Sequence, residues 1–151
     1  MIQPRLATTS DADTITRLVD QAYGHYVERI GRKPKPMTID YLTAIQDHPL
    51  WVIDDAAAGI KAVLELIPGD TFLLIENIAV APVYQKQGLG RALMAFAETQ
   101  ARQQGFDEVR LYTNERYVEN IALYQRLGYT ETHRDVFRGS NVIHMHKMLS
   151  E

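Results

Sequence analysis

Cysteine is absent from the 151 residues, so a disulfide framework, a thiolate metal site and a cysteine-linked acyl-enzyme are all excluded. An excess of positive charge is missing as well. The formal net charge is −3 and the isoelectric point is near 5.9, which leaves no global field for a nucleic-acid backbone. No apolar run approaches the roughly 18 residues of a membrane span, and Met1-Ile2-Gln3-Pro4-Arg5 lacks the apolar stretch of a signal peptide. Neither nucleic acid nor membrane is expected as a partner, and the reading is of a soluble, cytoplasmic protein. Repeats, low-complexity tracts and linkers are also missing, so residues 1–151 are read as one domain. At 46% hydrophobic, the chain has enough apolar material for a single core.

What is present is an ordered succession of patterns. Ile2 to Ala7 reads as a short strand, and Ser10 with Asp13 marks a helix start. Ile15, Leu18, Val19, Ala22 and Tyr26 then recur at helical spacing as far as Gly31, where Arg32-Lys33-Pro34-Lys35-Pro36 stops the helix. Thr38 is the expected cap of a second helix carrying Tyr41, Leu42 and Ile45. From Trp51 to Asp54, Ile60 to Ile67 and Thr71 to Val80 the pattern is extended, a three-stranded meander. Leu89, Leu93, Phe96 and Ala97 share one helical face that ends at Gly105. A strand through Val109 to Thr113, a helix from Val118 to Leu127 and a hairpin of Tyr129 to Phe137 with Val142 to Met148 complete the order βααβββαβαββ. Alternation of strand and helix only in the middle predicts an α/β chain of α+β type, with a mixed, mostly antiparallel sheet flanked by helices.

The turn Gln85-Lys86-Gln87-Gly88-Leu89-Gly90 sits between a strand and a helix, where backbone N–H groups and the helix dipole converge on an anion. Gly88 and Gly90 admit a phosphate close to the backbone. A Walker A loop does not fit, because Arg91-Ala92 follows Gly90 where Lys-Ser/Thr is required. A dinucleotide fingerprint does not fit either, since Leu93 stands where its third glycine belongs and the turn follows a meander. Taken alone, the turn is equally well an ordinary strand-to-helix connection.

Its flanks add to it. Ile78-Ala79-Val80-Ala81-Pro82-Val83-Tyr84 precedes the turn, and Asn120-Ile121-Ala122-Leu123-Tyr124-Gln125-Arg126-Leu127-Gly128-Tyr129 follows some thirty residues later. In this order and spacing the three segments resemble the GNAT superfamily of acetyl-CoA-dependent N-acetyltransferases, and the element order resembles that fold from end to end. The resemblance implies a sheet splayed between its fourth and fifth strands, with acetyl-CoA as acyl donor and no metal. It implies that the strand backbone at Ile78 and Val80 meets the pantetheine arm and that the N–H near Ile78 polarises the thioester carbonyl. Backbone amides from Lys86 through Gln87, Gly88, Leu89 and Gly90 to Arg91 would cradle the pyrophosphate, with Gln85 positioning the loop and Asn120 anchoring the pantetheine. Tyr124 would protonate the departing thiolate; a phenol of pKa about 10 is suited to that, although core packing is the plain alternative.

A protonated amine must lose a proton before attack, and Glu76, expected on the same face of its strand as Ile78, is the candidate base. Pairing with a cross-strand cation is the competing reading for Glu76. Tyr23, Tyr26, Arg29 and His144 are the acceptor-site candidates. His144 and His146 share a strand face, but two histidines without a third ligand do not make a metal site. The basic segment Arg29, Arg32, Lys33, Lys35 either attracts an anionic group on the acceptor or is a solvated loop. A small-molecule amine is the expected acceptor; a protein N-terminus or lysine, and a non-catalytic acyl-CoA-binding module, remain as alternatives. A homodimer is compatible with the terminal hairpin edge.

Overall fold

The computed structural model describes residues 3–150, so Ile2 of the expected first strand lies outside the described residues. Alternating apolar residues assemble a seven-stranded sheet in the order β1-β2-β3-β4-β5-β7-β6. β1 (Arg5–Leu6), β2 (Leu50–Asp55), β3 (Gly59–Pro68) and β4 (Leu73–Val80) are successive antiparallel neighbours. β5 (Glu108–Asn114) runs parallel to β4, while β6 (Thr130–Phe137) and β7 (Ser140–Met148) form a hairpin that joins β5 through β7. This is the mixed sheet that the sequence predicts. The hairpin turn is tighter than expected: Phe137 pairs with Ser140, and Arg138 and Gly139 adopt φ values of 51° and 81°, the left-handed pair of a two-residue connection.

Helices cover both faces. α1 (Ala12–Tyr23), α2 (Tyr26–Ile30) and α3 (Tyr41–Asp47) lie on one, and α4 (Leu89–Gln103) and α5 (Val118–Arg126) on the other. The first expected helix is therefore interrupted. Gly24 falls at the break, where a glycine weakens a continuous helix by about 1 kcal/mol relative to alanine. Asp40 rather than Thr38 caps α3, its carboxylate accepting from the N–H groups of Leu42 and Thr43 at 3.1 and 3.4 Å. Thr38 instead belongs to a one-turn 3-10 segment, Lys35–Thr38.

Two cores result. Leu64, Leu66 and Leu73 of the sheet are buried against Leu93 and Met94 of α4, and Val52 and Val63 against Ile15 and Val19 of α1. Leu93 is fully buried, so truncation to alanine is worth about 2–5 kcal/mol.

Two departures from a regular sheet lie in β4. Its pairing with β5 runs only from Leu73↔Val109 to Ile75↔Leu111, although both strands continue beyond. The strands part after Ile75. On the other edge the register jumps from Glu65↔Asn77 to Leu66↔Ile75, leaving Glu76 as an extra residue. Such a bulge shifts the side-chain alternation by one. Leu73 and Ile75 face α4 upstream of it, Ile78 and Val80 downstream, while Ala79 joins the α1 side.

Candidate active site

The open edge of β4 carries free backbone. Ala81 N–H donates to Lys61 at 2.9 Å, so by the two-residue period Asn77, Ala79 and Ala81 turn their peptide groups toward β3. Ile78 and Val80 turn theirs into the gap left by β5. Their carbonyls are taken there by side chains, with Tyr23 Oη 3.0 Å from the Ile78 oxygen and Gln85 Nε2 donating to the Val80 oxygen at 3.1 Å. Gln85 thus ties the following turn to the strand end.

That turn depends on left-handed backbone at alternate positions, Lys86 with φ 64° and Gly88 with φ 83°. A side chain at φ > 0 is strained, so glycine suits position 88 and Lys86 tolerates a cost of order 1 kcal/mol. Gln85, Lys86, Gln87, Gly88 and Arg91 are exposed, and Leu89 is buried as the first anchor of α4. Cβ atoms built on Gly88 and Gly90 would meet nothing within 4 Å. Open space before the first turn of a long helix leaves room for an anion at its N-terminus.

A cavity of about 670 Å³ opens beside the β4 edge, lined among others by Ile78, Asn120 and Tyr124. Asn120 and Tyr124 lie one turn apart on α5 and both face it. Tyr124 is 7% exposed, and burial pushes its phenol up to about 12, above the ordinary value assumed from the sequence. Its hydroxyl makes no hydrogen bond among the described residues, whereas Tyr129 beside it donates to Glu98 at 3.1 Å. The unengaged tyrosine is the one on the cavity.

The opposite wall is polar and internally bonded. Glu76 does not share a face with Ile78 as expected, because the bulge turns it to the α1 side. Its Oε1 accepts from Tyr112 Oη and from Lys35 Nζ, the latter at 3.1 Å, and Lys35 also donates to Tyr112 at 2.8 Å. Burial, followed by the bond to Glu76, holds the Tyr112 phenol up at about 12. Asn77 links Tyr23, which lies 3.0 Å from its Oδ1, to Tyr41, which accepts from its Nδ2 at 3.1 Å. Arg32 bridges to the hairpin, donating from Nη2 to the Phe137 carbonyl at 3.1 Å, while its buried Nε has no partner among the described residues.

Of the acceptor candidates, Tyr23 and His144 line the cavity. Tyr26 and Arg29 do not: both bond to Glu119, at 3.2 and 2.7 Å, and Tyr26 stacks on Tyr117 at 4.0 Å. Of the basic segment, Arg32 and Lys35 reach the cavity. His146 bonds to Glu108 at 2.8 Å, away from His144. His144 Nε2 instead lies 2.9 Å from Asp135, and with His133 these residues bring three donor atoms within 4.8 Å of one another, close enough to converge on a cation.

Residues 46–131 match the family described as "Acetyltransferase (GNAT) domain". The chain belongs to the GNAT family. A relative in Bacillus subtilis (strain 168), "Uncharacterized N-acetyltransferase YvbK", is 28% identical over 95 residues, 63% of this GNAT chain and 59% of the relative. The "[Ribosomal protein bS18]-alanine N-acetyltransferase" of Escherichia coli (strain K12) is 42% identical over 55 residues, 36% of this chain and 37% of that one. The matches thus span less than two thirds of either relative. Among solved structures, the paiA N-acetyltransferase from Thermoplasma acidophilum in complex with coenzyme A superposes with a TM-score of 0.79 at 16% identity, covering 98% of this chain and 99% of that one. At that identity the likeness is one of fold.

This GNAT chain also holds cavity residues that the sequence reading passed over: Glu65, Asn77, Tyr112 and Tyr41. A signal for the first two existed. Glu65 interrupts Ala62-Val63-Leu64 and Leu66-Ile67, and Asn77 interrupts Ile75 and Ile78, each a polar residue inside an apolar strand. Nothing comparable marked Tyr112, whose side chain fits any half-buried strand.

Proposed function

We propose that this GNAT chain transfers the acetyl group of acetyl-CoA to a primary amine by direct attack in a ternary complex, and that the amine belongs to a small molecule. The observation that carries this is the opening between β4 and β5, where Ile78, beyond the last residue of β4 that pairs with β5, lines a cavity shared with the Tyr124 hydroxyl, which has no partner among the described residues. In this reading the Ile78 N–H stabilises charge on the thioester oxygen. Tyr124, kept protonated by its burial, delivers a proton to the departing sulfur. The amides from Lys86 to Arg91, with Gln85 bracing the turn, hold the pyrophosphate, and Asn120 holds the pantetheine.

The Arg32 bridge to Phe137 favours a small acceptor, since it joins the segment after α2 to the hairpin beside the cavity. An extended peptide would have to displace it. The likeness to a ribosomal-protein acetyltransferase supports a second reading, with a protein N-terminus as acceptor. A thiol-release assay over amines, amino acids, aminoglycosides and peptides distinguishes the two. Release with small amines alone is expected; release with peptides alone would replace the first reading by the second. Absence of release from every acceptor would leave an acyl-CoA-binding module.

A further inference from the structure

Glu65 is the buried carboxylate of the acceptor wall. It sits on β3 opposite Asn77, next to the pair Leu64↔Ile78, so it neighbours the backbone assigned to the thioester across a single strand spacing of about 4.8 Å. Leu64 and Leu66 pack against α4, which sends Glu65 to the other face, where it is 4% exposed and lines the cavity. On its far side Oε2 lies 3.2 Å from Nε2 of His48, whose side chain keeps 30% of its surface in solvent. His48 is fixed by the end of α3, donating its N–H to Ala44 at 3.0 Å, and by Pro49, whose carbonyl accepts from Leu66 at 3.1 Å. Glu65 therefore bridges the cavity and a solvent-reaching imidazole.

Glu76 occupies a different situation. Its Oε1 is already engaged by an ammonium and a phenol, so an acceptor ammonium would have to share that carboxylate with Lys35 and Tyr112. The groups facing Glu65 are Glu76, Lys35, Tyr41, Asn77 and His48. Burial first, then the charge of Glu76, pushes the Glu65 carboxyl up to about 7, against the opposing pull of Lys35. A carboxylate so placed is matched to removing a proton near neutrality.

We propose that Glu65 is the base for the acceptor ammonium and that His48 carries the proton from Glu65 to solvent. This rests on the acetyl transfer proposed above. An ammonium N–H bond breaks and the proton binds a Glu65 oxygen, freeing the nitrogen lone pair. The C–N bond forms and the C–S bond breaks, its electron pair leaving on sulfur, which takes the Tyr124 proton. The second proton lost by nitrogen restores the phenol. Glu65 then passes its proton to Nε2 of His48, His48 releases one from Nδ1 to water, and exchange with water returns the imidazole to its Nδ1–H tautomer, so one proton leaves per turnover.

The test is the pH dependence of kcat/KM, measured by thiol release with an amine that the unsubstituted protein accepts. The rate is expected to fall below pH about 7 in the unsubstituted protein. Glu65→Gln should lower kcat/KM about 100-fold and abolish that fall, with acetyl-CoA affinity by calorimetry unchanged. Glu76→Gln should retain the fall with its midpoint moved down, because the Glu76 charge no longer opposes ionisation of Glu65, and His48→Gln should shift the midpoint as well, which loss of packing alone would not do. Should Glu65→Gln lose acetyl-CoA binding, Glu65→Asp, which withdraws the carboxyl by one methylene, takes its place and should move the midpoint. A fall that is indifferent to Glu65, or that vanishes in Glu76→Gln, overturns the proton path while leaving acetyl transfer standing. No thiol release by the unsubstituted protein overturns both.

Discussion

The two sides of the cavity differ in how they are finished. On the α5 side the Tyr124 hydroxyl has no partner among the described residues, and outside the cavity the turn Gln85 to Arg91 adds exposed peptide groups on left-handed backbone. On the other side, Lys35, Glu76 and Tyr112 bond to each other, Arg32 bonds to the hairpin, and His144 reaches Asp135. A ligand joins the first surface at little cost, since nothing bound must be released. A ligand on the second has to exchange bonds that already exist, which makes binding there selective for molecules that replace them well.

Four substitutions probe this contrast, beginning with the largest expected effect. Gly90→Glu leaves the helix unstrained and places a negative charge at its favourable end, yet opposes a phosphate there. Acetyl-CoA affinity should fall about a thousandfold, or about 4 kcal/mol, with the melting temperature maintained; equal affinity by calorimetry would remove the turn from the donor site.

Glu65→Gln tests the strain on the acceptor side. The carboxyl moves from 4.5 in the unfolded chain to about 7 in the fold, so the folded state binds the extra proton between those values. Stability due to the protonated carboxyl is complete below 4.5 and lost as pH rises through about 7. Glu65→Gln should therefore match the parent at pH 4 and exceed it by up to about 3 kcal/mol at pH 8 in urea unfolding, while a constant difference would contradict the burial cost.

Tyr124→Phe removes a hydroxyl that holds no bond among the described residues, so stability and acetyl-CoA affinity should remain while kcat drops about 100-fold. An unaltered kcat would reduce Tyr124 to a packing residue. Arg32→Ala opens the bridge to Phe137; relative kcat/KM for peptide over small-amine acceptors should rise several-fold, about 1 kcal/mol, and an unchanged ratio would deny the bridge any part in selection.

The same contrast governs how much was legible in the sequence. The residues proposed for the donor are legible because they fall close together in sequence: a helix start, glycine at φ 83°, and Asn120 and Tyr124 one turn apart. The acceptor side draws Lys35, Glu65, Glu76, Tyr112 and His144 from five separate segments, and no local spacing joins them. Strand order was legible from period-two patterns, yet the face of Glu76 was not. Strict alternation placed it with Ile78, and the bulge that reverses this is a matter of pairing between chains of residues distant in sequence. Tyr26 and Arg29 drew notice for their chemistry and are held by Glu119 instead.

The extra residue in β4 also bears on which parts of the chain tolerate a change of length. Upstream of Glu76 one parity of residues meets α4, and downstream the other does. Deleting Glu76 itself would close the bulge and leave Asn77 and Ile78 on their present faces, whereas deleting a neighbour inside β4, such as Leu74, would turn Leu73 out of the leucine-rich core or carry Glu76 into it. The Asp55 to Gly59 connection, exposed throughout, has no such parity to protect. Libraries that vary segment lengths should thus accumulate insertions between β2 and β3 and hold the interior of residues 73–80 at constant length everywhere except at Glu76, even where individual side chains are free to vary.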